Sequence, residues 1–305
     1  MPIVYLNKRF VQAERAKVSA FDRGFSYGDG LFETLRVYAG WVFGLERHVG
    51  RLKKGAVQIG IPFRGEVPQW RKVMGELLRR NGLQATDSSL RLTITRGADT
   101  LGSLLPPETP PSPTLLLVAK PLEAGIFEYQ QTGYNAITFR WGSPFNPLGI
   151  KSLNYLYNML AMAQARREGE QEALFVAPDG SIIEGTTSNL FTVSKGVLTT
   201  PPADSGLLPG ITREVVIELA KKEGMTVRVA LVPVDELLSA DEAFVTGSLK
   251  EVMPLTTVDG RKIGAGNPGQ VTRFLQERYR AAVEEERRQE VRGAKCEVPG
   301  GTRGR

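Results

Sequence analysis

The chain has 305 residues, 41% of them hydrophobic, and a formal net charge of +6 at pH 7. This length supports one large or two medium domains, and no apolar run approaches the roughly 18 residues that a membrane-spanning helix needs. His48 is the only histidine and Cys296 the only cysteine, so disulfide frameworks and Cys-His zinc sites are excluded, no metal site is expected, and demanding chemistry must rely on other side chains or on a cofactor.

Residues 1–118 predict a small N-terminal α/β domain. Alternating and β-branched patterns favour strands over 3–6, 10–11, 31–38, 90–96 and 114–119, and helical spacing of apolar residues favours helices over 45–59 and 67–81. A glycine-containing loop over 21–30 precedes the third strand. Because Glu33 stands where the third glycine of a GxGxxG motif would be, the loop does not predict dinucleotide binding.

A linker over 119–126 follows a proline-rich stretch over 105–113 and leads into a larger C-terminal mixed α/β domain over 127–286. Here strands over 136–140, 172–177 and 190–193 accompany helices over 156–168 and 212–223, without the regular alternation of a doubly wound sheet. The fold class is therefore α+β or α/β.

Residues 287–305 carry much of the positive charge. No aromatic residues interleave the basic ones, so we expect a disordered, solvated tail and no nucleic-acid partner. The N-terminus lacks the pattern of a secretory signal, which leads us to expect a cytoplasmic protein that binds no membrane.

Lys151 is a candidate nucleophile. It follows the apolar Leu148-Gly149-Ile150, and burial favours the free amine that a nucleophilic lysine needs. A helix that begins near Ser152 would place Tyr155 about one turn beyond the lysine. Taken alone, the segment also fits an ordinary lysine near a helix start.

Two further segments offer a carboxylate and an anion site. Glu184 lies between apolar residues and Gly185, and a buried carboxylate needs a partner such as a protonated pyridine nitrogen, although a glutamate in a turn fits equally. Thr212, at or near the N-cap of the predicted helix, would help backbone N–H groups to bind a phosphate, although capping alone would explain it. A hydroxyl-rich turn over 244–248 ends an apolar strand in a similar way.

Three motifs in order carry a family resemblance: Lys151-Ser-Leu-Asn-Tyr155, Glu184-Gly-Thr-Thr-Ser-Asn-Leu-Phe191 and Leu208-Pro-Gly-Ile-Thr-Arg213. They resemble those of the class IV aminotransferases, pyridoxal-phosphate enzymes of fold type IV. The family includes branched-chain and D-amino-acid aminotransferases and aminodeoxychorismate lyases. The resemblance runs from about residue 2 to about residue 280 and implies pyridoxal 5'-phosphate as cofactor, small amino and 2-oxo acids as partners, and a homodimer.

The resemblance also implies a role for each matching residue. Lys151 would form the Schiff base with the cofactor and shuttle the proton between the substrate Cα and the cofactor C4'. Tyr155 would hydrogen-bond the ring hydroxyl, and Glu184 would keep the pyridine nitrogen protonated. The phosphate would contact Arg51, Ile211, Thr212 and Ser248, and Leu207 would lie against the ring face. His48, on the same helix as Arg51, would pack and not act in catalysis.

The substrate motifs resemble the branched-chain signature at Phe32, Glu33 and Arg36, although Thr34 stands where that signature has glycine. D-amino-acid enzymes follow Thr-Arg-Gly with an arginine and a histidine, and the lyases tend to place an arginine there. Residues 98–105 contain none of these. The candidates for binding the substrate carboxylate are Arg36, Arg91 and the backbone amides of Ser248 and Leu249.

We therefore expect transamination between a hydrophobic, branched-chain-type L-amino acid and 2-oxoglutarate, with ping-pong kinetics. The alternatives in the same cofactor class are an aminodeoxychorismate lyase, which releases 4-aminobenzoate, and a D-amino-acid aminotransferase. A non-catalytic pyridoxal-phosphate-binding protein is disfavoured because Lys151, Tyr155 and Glu184 are all present. A nucleotide- or RNA-binding protein is disfavoured because no Walker lysine follows the glycines of the 21–30 loop.

Overall fold

The computed structural model describes residues 1–99, 103–140 and 149–296. Its helices are α1 (Arg23–Tyr27), α2 (Leu45–Gln58), α3 (Val67–Arg80), α4 (Gly125–Thr132), α5 (Leu156–Arg167), α6 (Ile211–Lys222), α7 (Val234–Leu238) and α8 (Gln270–Cys296). Its strands are β1 (Ile3–Leu6), β2 (Arg9–Gln12), β3 (Gly30–Tyr38), β4 (Trp41–Val42), β5 (Ser88–Thr95), β6 (Leu115–Pro121), β7 (Tyr134–Phe139), β8 (Glu172–Val176), β9 (Ser181–Gly185), β10 (Asn189–Ser194), β11 (Val197–Thr200), β12 (Thr226–Val229), β13 (Val232–Pro233), β14 (Glu242–Gly247), β15 (Glu251–Val258) and β16 (Arg261–Lys262).

The N-terminal half forms an antiparallel sheet in the order β2-β1-β6-β5-β3-β4, packed against α2 and α3. The side chains of β5 alternate between its two faces. Leu90, Leu92 and Ile94 are buried in the core with α2 and α3, whereas Ser89 and Arg91 point to the opposite face. The sheet therefore offers one face for stability and the other for a site.

The C-terminal half forms a mixed sheet in the order β12-β11-β10-β14-β15-β7-β8-β9-β13, with β16 paired to β15. β7 runs parallel to both β15 and β8, and β11 runs parallel to β12. One apolar cluster packs α6 and α8 against this sheet, around Phe191, Phe244 and Leu275. The two sheets with their helices confirm the mixed α/β class expected from the sequence.

Helix α8 contacts both halves of the molecule. Glu286 Oε1 accepts a hydrogen bond of 2.9 Å from the Gly44 N–H at the start of α2, and Glu290 Oε2 accepts one of 3.0 Å from Trp41 Nε1. Residues 287–296, which the sequence assigned to a disordered tail, continue this helix. Residues 297–305 of that predicted tail lie outside the described residues.

Most predicted strands and helices are present with ends shifted by a few residues, and three local predictions were wrong. The 21–30 loop contains the short helix α1. No helix begins near Ser152, because α5 starts at Leu156. The N-cap of α6 is Gly210, and Thr212 lies inside the helix. Within the predicted linker, β6 runs to Pro121 and α4 begins at Gly125.

In the described part of the chain, no helix is both long and apolar enough to cross a bilayer.

Candidate active site

A cavity of about 630 Å³ lies between the two halves and is lined by residues of both. Most of the residues that the sequence singled out meet on its walls: Arg51, Arg91, Lys151, Tyr155, Glu184, Ile211, Thr212, Ser248 and Leu249. Leu207 is fully buried and Arg36 lies behind the wall, so neither lines the cavity.

Lys151 belongs to an extended segment that pairs with the start of β3. Phe32 N donates to Lys151 O at 2.9 Å, and Leu153 N donates to Gly30 O at 3.0 Å. A Cβ on Gly30 would lie 2.5 Å from Ile94 O and 2.7 Å from Leu153 Cδ1, so this close approach requires glycine. These bonds, which replace the helix expected from the sequence, fix the lysine backbone at the cavity wall.

The Lys151 amine contacts Tyr155 in the cavity. Nζ lies 3.0 Å from the Tyr155 hydroxyl oxygen and 4.6 Å from the Phe32 ring centroid. Burial, followed by the charge of Arg51, lowers the pKa of Lys151 to about 8. Burial, followed by the charge of Glu184, raises the pKa of Tyr155. A substantial share of Lys151 is therefore a free amine near neutral pH, while the Tyr155 hydroxyl keeps its proton.

Glu184 lies near the end of β9 with one carboxylate oxygen unused. Oε2 accepts hydrogen bonds from Leu208 N at 3.0 Å and Asn189 Nδ2 at 3.2 Å, and Oε1 has no donor among the described residues. Burial raises the pKa of Glu184 to about 8, although the Leu208 N–H and Lys151 oppose this shift. Such a carboxylate favours a cationic hydrogen-bond donor in the cavity.

The N-terminus of α6 forms the anion-binding end of the cavity. The helix has no side-chain cap, and the N–H groups of Ile211 and Thr212 have no acceptor within the described ranges. Arg51 reaches this end and donates from Nη1 to Pro209 O at 2.8 Å. Free N–H groups, the helix dipole and a guanidinium together suit a phosphate group.

Glu33 holds the arginine at this anion site. Its carboxylate accepts from Arg51 Nε at 2.8 Å and Arg51 Nη2 at 2.7 Å, and lies 2.7 Å from His48 Nδ1. Burial alone would raise the pKa of Glu33, but Arg51 and His48 lower it to about 2. Burial lowers the pKa of His48, so a neutral His48 packs and orients Glu33. No sequence motif pointed to this pairing, which joins β3 to α2.

The turn over 248–250 presents backbone amides to the cavity. Ser248, Leu249 and Lys250 line the wall, and their N–H groups have no acceptor among the described residues. Consecutive free amides of this kind bind anions. The turn therefore offers a second anion site in the cavity, separate from the N-terminus of α6.

Arg36, predicted as a substrate-carboxylate candidate, instead holds this turn from behind. Its guanidinium donates to Leu249 O at 2.8 Å and forms an ion pair with Glu251 at 3.0 Å. Arg91 does face the cavity, with its guanidinium carbon 3.6 Å from the Phe32 ring centroid. Within the described part of the chain Arg91 has no carboxylate partner, and burial lowers its pKa.

Asn189 and Glu172 are further residues that sequence reasoning missed. Asn189 Nδ2 donates to Leu208 O at 2.9 Å as well as to Glu184, and so joins the carboxylate to the segment before α6. Glu172 is fully buried behind the 186–188 segment. The signal that could have found Asn189 is its place inside the Glu184 motif; no comparable signal marks Glu172. The described residues contain no group of three His, Cys, Asp or Glu side chains that could hold a metal ion.

Comparisons with known proteins agree with this site. The family model "Amino-transferase class IV" matches residues 30–258. A Methanocaldococcus jannaschii protein named "Putative branched-chain-amino-acid aminotransferase" is 40% identical over 281 residues, covering 91% of this chain and 95% of the relative. A D-alanine aminotransferase of Bacillus licheniformis is 35% identical, covering 90% and 94%. An aminodeoxychorismate lyase of Bacillus subtilis is 31% identical, covering 92% and 94%.

Solved structures are similar over nearly the whole chain. The branched-chain aminotransferase of Thermoproteus uzoniensis with norvaline has a TM-score of 0.84 at 31% identity. The branched-chain aminotransferase of the organism abbreviated T.th., with pyridoxamine 5'-phosphate, has a TM-score of 0.84 at 32% identity. Each comparison covers 92% of this chain and 94% of the other.

Proposed function

The chain belongs to the class IV aminotransferases, and from that premise we propose that it moves an amino group between a hydrophobic, branched-chain-type L-amino acid and 2-oxoglutarate. The observation that carries this proposal is the mixed character of the cavity. Phe32, Val118 and Met162 supply apolar wall, while Arg91 supplies a cation with no protein carboxylate beside it among the described residues. Such a cavity can take an aliphatic side chain in one half-reaction and a second carboxylate in the other.

The family depends on pyridoxal 5'-phosphate, and the cavity fits this cofactor. The N-terminus of α6 and Arg51 would hold the phosphate, the free oxygen of Glu184 would pair with the ring nitrogen, and Lys151 would attach to the aldehyde carbon. When bound, the cofactor supplies an aldehyde that takes up the amino group and a ring that withdraws electrons from the substrate.

Lys151 and Tyr155 are placed to manage the proton. As a free amine, Lys151 would take the proton from the substrate Cα and return it in the reverse direction. The Tyr155 hydroxyl, 3.0 Å from Nζ, would orient the amine. The edge-to-face contact between Tyr155 and Phe32, with ring centroids 4.9 Å apart, restrains the tyrosine.

We place the substrate α-carboxylate on the free amides of the 248–250 turn. This position leaves the substrate side chain facing Phe32 and Arg91 on the opposite wall. Arg91 would then bind the distal carboxylate of 2-oxoglutarate, and the apolar wall would contact an aliphatic side chain. Of the candidates named from the sequence, this assignment uses Ser248, Leu249 and Arg91 and leaves Arg36 in a supporting role.

We also propose a homodimer. Large apolar side chains are exposed on α1 and at the start of α5, with Phe25 83% and Leu156 66% exposed. Both elements adjoin the active site, since α5 directly follows the Lys151–Tyr155 segment. A contiguous apolar surface at this place is typical of a subunit interface.

An absorption spectrum of the purified holoenzyme tests the substrate. We expect the cofactor band to shift on addition of L-leucine and to return on addition of 2-oxoglutarate, with no shift on addition of D-alanine. A shift with D-alanine alone would replace the proposal by a D-amino-acid aminotransferase. No cofactor band, even after pyridoxal 5'-phosphate is added, would contradict both.

A second candidate is elimination of pyruvate from aminodeoxychorismate. It is favoured by the further cations that line the cavity, Lys120, Arg166 and Lys250, because aminodeoxychorismate carries two carboxylates. Release of 4-aminobenzoate would support the lyase, whereas turnover of L-leucine with 2-oxoglutarate and no such release would remove it.

A further inference from the structure

We propose that Lys250 is a specificity-determining residue for the substrate α-carboxylate, adding a fixed positive charge beside the amides of the 248–250 turn. The proposal rests on the assignment of the α-carboxylate to that turn. Nothing in the sequence motifs pointed to Lys250.

The lysine side chain folds back across its own turn. Its Cγ and Cδ lie 3.3 and 3.6 Å from the position that a Cβ on Gly247 would occupy. Its ammonium is then held by two acceptors, Glu172 Oε2 at 2.8 Å and Thr187 Oγ1 at 3.1 Å. An ammonium has three N–H donors, so one remains for a ligand.

The ion pair presents its positive end to the cavity. Lys250 lines the wall, whereas Glu172 is fully buried behind the 186–188 segment and does not line it. A carboxylate that enters the cavity therefore comes closer to the ammonium than to Glu172. Because the site is shielded from bulk water, this difference in distance favours an anion.

Glu172 also has donors of its own. Its carboxylate accepts from Thr186 N at 3.0 Å, Ser188 Oγ at 2.8 Å and the Thr186 hydroxyl. These bonds fix the carboxylate, which in turn fixes the position of the ammonium. Lys250 is thereby anchored to the segment that follows Glu184, and its charge cannot swing out of the site.

The backbone of the turn is immobilised independently of the lysine side chain. Arg36 holds Leu249 O, and Gln130 Nε2 donates to Lys250 O at 3.2 Å. A Lys250→Met substitution therefore removes the charge while leaving the amides in place. The loss that it causes reports on the charge itself.

The test is binding of 4-methylvaleric acid, the leucine skeleton without its amino group, to the holoenzyme, followed through the cofactor absorption. We expect Lys250→Met to raise the dissociation constant at least tenfold and to weaken its dependence on salt. Lys250→Arg should stay within about threefold of the unaltered enzyme, since it keeps the charge. Lys262→Met, the same change on an exposed strand outside the cavity, should have no effect.

The double variant Lys250→Met with Glu172→Gln separates charge from packing. We expect it to bind the acid as weakly as Lys250→Met does. Recovery of full affinity would show that Lys250 only neutralises Glu172 and would overturn the proposal, as would unchanged binding by Lys250→Met. If the unaltered enzyme itself does not bind 4-methylvaleric acid, the proposed hydrophobic substrate fails instead.

Discussion

Lys151 and Glu184 are ionisable residues whose pKa values are both shifted to about 8, one from above and one from below. In each case burial is the main cause and opposes the charged form. Both shifts are large, and both groups point into the same cavity, where a bound ring would compensate them. Perturbed groups facing one cavity mark a functional site more clearly than either group alone.

Glu184→Gln tests the cost of this carboxylate. Because the pKa of Glu184 is raised to about 8 from 4.5, the folded protein holds a proton that the unfolded chain releases, so stability falls as pH rises from about 4.5 to 8. We expect the variant apoprotein to be more stable than the unaltered one at pH 8, by on the order of 2 kcal/mol, with little difference at pH 4.5. Urea unfolding at the two pH values measures this. An equal difference at both, or a matching effect of Glu277→Gln on the surface, would contradict it.

The lowered pKa of Lys151 predicts when the apoenzyme takes up its cofactor. The rate of covalent attachment of pyridoxal 5'-phosphate should rise with pH up to about 8 and then level off, because the free amine is complete above its pKa. An ordinary lysine would give a rate that keeps rising toward about 10.5. Lys151→Ala should abolish attachment and reduce turnover by orders of magnitude. Attachment in that variant would show that another lysine carries the cofactor.

At the scale of elements, the site is assembled from the ends of secondary structures, and this limits what the sequence can predict. Lys151, Tyr155, Glu184 and Thr212 lie in contiguous motifs, so sequence reasoning placed them in one site. Arg36 shares a strand face with Phe32 and Thr34, so its assignment to the cavity was reasonable. The 248–250 turn and Glu251 cover that end of β3, and no local pattern reveals contact between residues more than 200 positions apart.

Arg36→Met tests the support of the turn. Loss of the bond to Leu249 O should loosen the amides and raise the KM for L-leucine at least tenfold, with a smaller effect on kcat. The variant also leaves Glu251 without its buried partner, which costs about 3 kcal/mol in unfolding free energy. Arg36→Met with Glu251→Gln should recover part of the stability but not the KM. A KM equal to that of the unaltered enzyme in either variant would remove Arg36 from this role.

Glu33→Gln and Arg51→Ala test the link between β3 and the anion site. Arg51→Ala should weaken cofactor binding by about ten- to a hundredfold, the value of one charge-assisted contact of 1.5–3 kcal/mol. Glu33→Gln keeps the guanidinium but loses its two-pronged anchor, so we expect a smaller loss of affinity. Equilibrium titration of the apoprotein measures both. An equal or larger effect of Glu33→Gln would mean that Glu33 does more than orient Arg51.

For the whole molecule, the surface around α1 and α5 decides the oligomeric state. Phe25→Glu places a charge on the proposed interface and should shift the protein toward monomers in sedimentation equilibrium. Val57→Glu makes the same kind of change at a side chain that is 80% exposed elsewhere, on α2, and should leave the dimer intact. An unaltered protein that is monomeric at high concentration, or equal behaviour of the two variants, would contradict the proposed homodimer.

The pairing of the Lys151 segment with β3 has a consequence for biosynthesis. The strand that positions the amine is made early, whereas the helix that would bind the phosphate and the turn over 248–250 emerge from the ribosome much later. A nascent chain released too soon would carry the lysine and its strand but could not retain the cofactor. Acquisition of the chromophore therefore reports that synthesis has passed the last strands of the C-terminal sheet, so colour in a cell extract would count finished molecules only.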